Sequence, residues 1–370
     1  MSFKARSFMV GVFASPIART QRAVAVLLTG LGLVALTFGS LAHAEPIRGA
    51  GSTFAAPIIN KWSRAYEAER TDGGDFTSPD WRVDYELVGS LAGVMRLDQP
   101  EIDFAATDAP LPPESLAKRG WVQFPIVMGG IVVVANIEKI GAGQLRLTGR
   151  LIADIYLGKV KNWSDPAIKA LNPGLQLPDA RIEVLHRQDG SGSTLAFTSY
   201  LSRTSLEWRE KHGAGPLISW SLGRSAKGTG GLATLAAATK NSIAYIEYGQ
   251  VVRAGLPFVA LRNEAGTFVK PDPSVFRTGL DSVNWDGSRD FYAETTNLAG
   301  AGSYPIATVT YVIVPKDRGR LRINRVVDLF RLAFKQNAEN AIALGYVAVS
   351  PALVGQIEAY WAKAFGTINH

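Results

Sequence analysis

Short turns rich in glycine and hydroxyl residues, each set between a strand-like and a helix-like run, constrain this chain more than any other feature. The clearest is Asp189-Gly190-Ser191-Gly192-Ser193-Thr194. The strand-like run Arg181-Ile182-Glu183-Val184-Leu185-His186 and then Arg187 precede it, and a helical pattern from Leu195 to Leu201 follows. Comparable turns occur at 49–54 (Gly-Ala-Gly-Ser-Thr-Phe), at 89–93 (Gly-Ser-Leu-Ala-Gly) and at 228–231 (Gly-Thr-Gly-Gly). A helix start leaves backbone N–H groups free and carries a partial positive charge, so such turns suit an anion. Any one of them alone is equally a simple chain reversal. Their recurrence between strands and helices predicts an α/β architecture.

Other elements follow from pattern. Ile58, Trp62, Ala65 and Tyr66 recur at helical spacing behind Pro57. Strands are expected over 83–88, 102–106, 130–135, 243–247 and 308–314. Helices are expected after Thr148, after the Asp165-Pro166 cap, around Val326 to Phe334, and after the Ser350-Pro351 cap. Residues 71–81 read as a surface loop, and 262–302 give little pattern. Chain crossings near Phe124-Pro125 and Tyr304-Pro305 would divide the chain into a discontinuous first domain, 45–125 with 305–370, and an inserted second domain, 126–304.

The first 44 residues have the layout of an export signal. Lys4, Arg6, Arg19 and Arg22 precede an apolar run, Ala23 to Phe38, and then Ala42-His43-Ala44. The run is shorter than the ~20 residues of a membrane span, so cleavage before Glu45 is expected rather than an anchor. Setting that segment aside leaves 35 Lys+Arg against 32 Asp+Glu, a formal charge of +3 instead of +7. A global basic field for nucleic acid is therefore not supported. The chain has no cysteine. That excludes disulfides, thiolate metal sites, a cysteine nucleophile and a lipid-modified N-terminal cysteine. An exported, unlipidated protein suits the periplasm.

Catalytic patterns are weak. His186, His212 and His370 form no metal-binding motif, and no GxSxG surrounds Ser90, Ser191 or Ser193. No cofactor or metal is expected. The run Lys316, Arg318, Arg320, Arg322, Arg325 reads as a solvated loop and helix start. Arg187 could clamp an oxyanion through its fork of donors, or could be a surface arginine paired with Asp189. Asp108 lies at the C-terminal end of a strand, the edge where open α/β sheets bind ligands. It could be a simple cap. If it faces an anion, that anion must bring its own proton. Hydrogen phosphate does and sulfate at neutral pH does not, so such a carboxylate would select between them.

Taken in order, GAGSTFAAP, VDYELVGS, IDFAATDAPL, FPIVMGGIVVVAN, IADIYLGKVKNWSDPAI, LNPGL, RQDGSGSTLAFTSYL, IAYIEY and YPIATVTYVIV resemble the periplasmic phosphate-binding proteins of phosphate ABC transporters, the PstS family. The resemblance implies a two-domain periplasmic-binding-protein fold of type II-like form, with a mixed sheet flanked by helices in each domain and phosphate in the cleft between them. It implies donors from Thr53, Phe54 and Ser90, and a proton acceptor at Asp108. It further implies a clamp at Arg187 oriented by an acid such as Asp189, with Ser191, Gly192 and Ser193 closing the site. The expected partner is the membrane permease of an ABC importer, and the expected state a monomer. The family's second turn usually reads GSSGG, whereas Leu91 and Ala92 stand here. Its DGSGT is here Asp189 to Ser193, with Thr194 following. An exported phosphatase on the same scaffold, or a receptor for another oxyanion, are the alternatives.

Overall fold

The computed structural model describes residues 45–69 and 81–366, without the side chains of 337 and 338. The expected export signal, almost all of the 71–81 loop and His370 lie outside the described residues. The strands are β1 (Ile47–Gly51), β2 (Val83–Glu86), β3 (Phe104–Thr107), β4 (Trp121–Asn136), β5 (Arg146–Leu147), β6 (Glu183–Arg187), β7 (Arg224–Ala226), β8 (Ser242–Glu247), β9 (Ala260–Arg262), β10 (Phe268–Val269), β11 (Ala307–Pro315) and β12 (Val347–Ala348). The helices up to residue 204 are α1 (Ala56–Glu69), α2 (Ser90–Arg96), α3 (Pro113–Arg119), α4 (Gly149–Tyr156), α5 (Pro166–Leu171) and α6 (Gly192–Thr204). After them come α7 (Leu206–Lys211), α8 (Gly228–Ala238), α9 (Tyr248–Arg253), α10 (Pro273–Leu280), α11 (Arg320–Lys335), α12 (Asn337–Ala343) and α13 (Pro351–Phe365).

The main sheet has the order β2-β1-β3-β11-β4-β8-β6-β7, with β12 also paired to β4. It is mixed. β1 runs parallel to β2 and β3, and β6 parallel to β7 and β8, while β11 and β4 are antiparallel to their neighbours. One strand therefore belongs to both halves. β4 pairs with β11 along Trp121 to Gly130 and with β8 along Ile131 to Asn136. Its run is buried almost throughout, as a strand covered on both faces requires.

Sequence pattern alone placed that strand only over 130–135. Pro125, which has no N–H for a ladder, reads as a breaker. The sheet accommodates it at a bulge: Thr310 faces Val127 and Tyr311 faces Pro125, so Ile126 is the extra residue. Gly129 and Gly130, within the same strand, each make room for a ring. A Cβ at Gly129 would lie 2.9 Å from the Phe54 ring, and one at Gly130 would lie 2.1 Å from the Phe276 ring on α10.

The helices take the caps their sequences offer. Thr148, Asp165, Ser191 and Ser350 each accept a hydrogen bond from a first-turn N–H. On one half, α1, α11 and α13 bury Trp62, Phe330 and Trp361, with Phe124 of β4 edge-on to both Phe330 and Trp361. On the other, Tyr245 of β8 stacks on Phe197 of α6 and on Trp220. His186 stacks on that same tryptophan, so it is a packing residue. The weakly patterned stretch after residue 262 contains α10, started by the Asp272 cap.

The basic run is only partly solvated: Lys316 and Arg320 are exposed as expected, but Arg318 and Arg322 are half-buried and Arg325 is buried. Arg318 donates to the carbonyls of Gln99 and Ile102, and Arg322 to those of Pro100 and Glu101. The loop entering β3 leaves those carbonyls without ladder partners, and the guanidinium forks supply donors.

A methyl group at Gly130 has nowhere to go but into the Phe276 ring. Gly130→Ala is expected to cost about 1–3 kcal/mol by overpacking, read as a lower urea midpoint. Phe276→Leu should recover part of that loss when combined with it.

Candidate functional site

The strand ends converge. Ser52, Thr53 and Phe54 follow β1, Asp108 follows β3, and Arg187 ends β6. α2 and α6 begin at Ser90 and Gly192, and α8 begins at Gly228 two residues after β7. In parallel α/β units this carboxyl-end edge is where helix starts and strand ends meet.

Arg187 is 3% exposed. Its Nε donates to Asp189 Oδ1 at 2.8 Å, and its Nη2 pairs with Asp189 Oδ2. The rest of the fork points to two threonines, with Nη2 3.2 Å from Thr53 Oγ1 and Nη1 3.4 Å from Thr229 Oγ1. The backbone N–H of Arg187 donates to the Tyr245 hydroxyl, which also bonds Thr194. Asp189 takes a further bond from the N–H of Gly228 at 2.9 Å. Burial pushes the Asp189 carboxyl up, but the guanidinium and this N–H outweigh it and hold the group below the usual carboxylate range. Of the two readings open from sequence, a surface ion pair and an oriented fork, the burial supports the second.

Asp108 is 5% exposed and collects hydroxyls. Ser52 Oγ lies 2.8 and 2.7 Å from its two oxygens, Thr310 Oγ1 donates at 2.6 Å, and Ser90 Oγ at 3.3 Å. Burial raises its pKa above the usual value; the three hydroxyls and the Arg187 charge oppose that shift. Ser90 Oγ also accepts from the N–H of Gly192 at 3.1 Å and from that of Asp108 at 3.2 Å. A Cβ at Gly192 would lie 2.3 Å from Asp108 Cβ, so only glycine permits this approach.

The structure brings together Thr53, Ser90, Asp108, Arg187 and Gly192 through these contacts. Ser193 shares a narrow recess with Arg187, Thr229 and Tyr245, and its buried hydroxyl has no hydrogen-bond partner among the described residues. Phe54 buries its ring against Tyr346, leaving only its backbone for a ligand. Ser191 is turned toward its own lobe: its N–H donates to Pro216 O and its Oγ caps α6 through Ser193 N. Sequence reasoning missed Ser52, Thr229 and Thr310 as site residues. Thr229 had a signal in its glycine-rich helix start. Thr310 had none, since it reads as one more residue of an apolar strand.

No His/Cys/Asp/Glu group suited to a metal occurs among the described residues, and no helix there is long and apolar enough to cross a membrane.

Residues 36–330 match the PBP superfamily domain. Two relatives called phosphate-binding protein PstS are similar over most of their length. That of Xylella fastidiosa (strain Temecula1) is 38% identical over 86% of this chain and 85% of its own. That of Pasteurella multocida is 37% identical over 90% of this chain and 94% of its own. The crystal structure of a phosphate-binding protein from Stenotrophomonas maltophilia superposes with a TM-score of 0.66, covering 88% of this chain and 97% of that one at 16% identity. The fold is thus the two-domain α/β fold of periplasmic binding proteins expected from sequence.

One further acid lies beside the recess. Glu247 ends β8 opposite Ile131, where β4 passes from one half of the sheet to the other. It is 1% exposed; Oε1 accepts from Arg253 at 2.7 Å, and Oε2 has no partner among the described residues. Burial pushes it up to about 7, against the pull of Arg253. A raised acid favours the folded state below its unfolded pKa, and that contribution is lost as pH rises through 7. Stability should therefore fall between pH 5 and 8, by as much as ~3 kcal/mol from this group. Glu247→Gln should flatten that decline in thermal melts at pH 5 and pH 8. An unchanged decline would assign the pH dependence to other groups.

Proposed function

Since the chain belongs to the PstS family of phosphate-binding proteins, within the PBP superfamily, we propose that it captures inorganic phosphate between its lobes and delivers it to the membrane permease of an ABC importer. Export to the periplasm after loss of residues 1–44, without a lipid anchor, and action as a monomer belong to the same proposal. So do the lobes, 45–125 with 305–370 and 126–304, sharing β4.

The observation that carries this reading is Asp108, a buried carboxylate among anion donors. Three hydroxyl protons, from Ser52, Ser90 and Thr310, serve a carboxylate with about four lone-pair positions. One position is left for a proton that the ligand brings. Phosphate supplies it as P–O–H. Sulfate would set two acceptors against each other, at about 1–3 kcal/mol or roughly 10–100-fold in affinity. The remaining ligand oxygens would take donors from the N–H groups of Thr53 and Phe54, from Ser90, and from the Arg187 fork. Ser191, Gly192 and Ser193 would close the site from the second lobe.

The proposed role is binding and delivery, with no bond made or broken. A phosphatase would need a base beside Ser191 or Ser193. Ser193 Oγ has no hydrogen-bond partner among the described residues, and the bond recorded for Ser191 Oγ is the α6 cap.

Titration calorimetry of the purified protein should show one phosphate per chain, with sulfate at least ~10-fold weaker; equal affinities would overturn the proposal. Asp108→Asn should narrow the gap between the two anions chiefly by improving sulfate. A wild-type ratio in that variant would remove Asp108 from its selecting role and leave the receptor reading standing.

A further inference from the structure

The cross-cleft contacts described so far are polar or between backbones. One is apolar. Leu91, the second residue of α2, lies over Gly190, the residue between Asp189 and the α6 cap. Its N–H donates to Gly190 O at 3.2 Å. A Cβ at Gly190 would lie 2.5 Å from Leu91 Cβ, 2.8 Å from its Cδ2 and 3.2 Å from its Cγ, the three nearest atoms. The leucine thus fills the space that a side chain at 190 would occupy. Gly190 is not in the left-handed region, so its backbone tolerates alanine. What keeps position 190 free of a side chain is residue 91 opposite, first through its Cβ and then through the leucine's branch.

Leu91 is 37% exposed. A leucine half out in solvent contributes little to folding a lobe. Placed over the segment that carries Asp189 and Ser191, it covers the cleft only while the lobes are together. We propose that Leu91 and Gly190 form a size-matched latch that holds the closed state and keeps water from the anion site. The latch acts on the phosphate site proposed above and rests on that reading. Leu91 is a positioning residue, since it acts through closure and donates nothing to the ligand from its side chain. Closure contacts act on release: a ligand enters the open form, and the latch forms afterwards.

The test is stopped-flow kinetics with inorganic phosphate on the full exported chain. The variants are Leu91→Ala, Gly190→Ala, Leu91→Gly and the last two combined, each checked for a cooperative thermal transition without ligand. Leu91→Ala should speed phosphate release about tenfold, roughly half a leucine's burial, and leave the association rate within about twofold. Gly190→Ala alone should weaken binding further, because its methyl group collides with Leu91 and the lobes cannot meet. Alanine at 91 would keep the Cβ that lies nearest, so the relieving partner is Leu91→Gly: Leu91→Gly with Gly190→Ala should bind more tightly than Gly190→Ala alone. That rescue is the signature of a size-matched pair, and a purely local role for either residue would not produce it. Release unchanged in Leu91→Ala, or the same cost of Gly190→Ala in the wild-type and Leu91→Gly backgrounds, would overturn the latch while leaving the receptor intact. A wild-type chain that binds no phosphate would overturn the receptor reading and the latch with it.

Discussion

The site depends on the buried pair of Arg187 and Asp189. A guanidinium 3% exposed is tolerable only when its charge is matched and its donors are used. Asp189 does both from two residues away. The same carboxylate takes the Gly228 N–H, so one acid ties the end of β6 to the start of α8. With one edge of the fork held, the other edge faces Thr53 and Thr229. Those threonines also bond each other at 2.9 Å, and they come from opposite sides of the cleft.

The charge balance that follows is instructive. Arg187 and Asp189 cancel, and Asp108 adds a negative charge to a place suited to anions. In the proposed binding mode the ligand would therefore depend on the Arg187 fork together with neutral donors: the N–H groups after β1, the Ser90 hydroxyl and the start of α6. Such donors are strong only where water is excluded, because low local dielectric strengthens a hydrogen bond. Affinity and closure become one property. Gly192 and Gly190 each sit where a Cβ would collide with the segment opposite, Asp108 and Leu91 respectively. The arrangement also explains why an acid can sit there. Burial pushes the Asp108 pKa up, and under the proposed reading a ligand carrying a proton would relieve that cost.

Much of this was legible in the sequence. The strand, turn and helix units announced an α/β chain, and the caps at Thr148, Asp165, Ser191 and Ser350 lie where local chemistry put them. Glycine and hydroxyl turns flagged the segments holding Thr53, Ser90, Gly192, Ser193 and Thr229. β4 was legible only in part, because Pro125 has no N–H for a ladder and a buried strand tolerates it only through a bulge. The arginines after β11 read as solvated because their partners, the carbonyls of residues 99–102, lie more than 200 residues away in the chain.

What the sequence by itself determined is what depends on neighbours in the chain: helix starts, caps, turn glycines, and the pairing of Arg187 with an acid two residues on. What only the tertiary structure decided is which of those turns face one another. Ser52, Thr310 and Asp108 meet across a sheet, Leu91 meets Gly190 across a cleft, and Glu247 is buried beside β4. Each depends on strand order and lobe contact. Those are set by the packing of the whole chain, and no local pattern of residues encodes them.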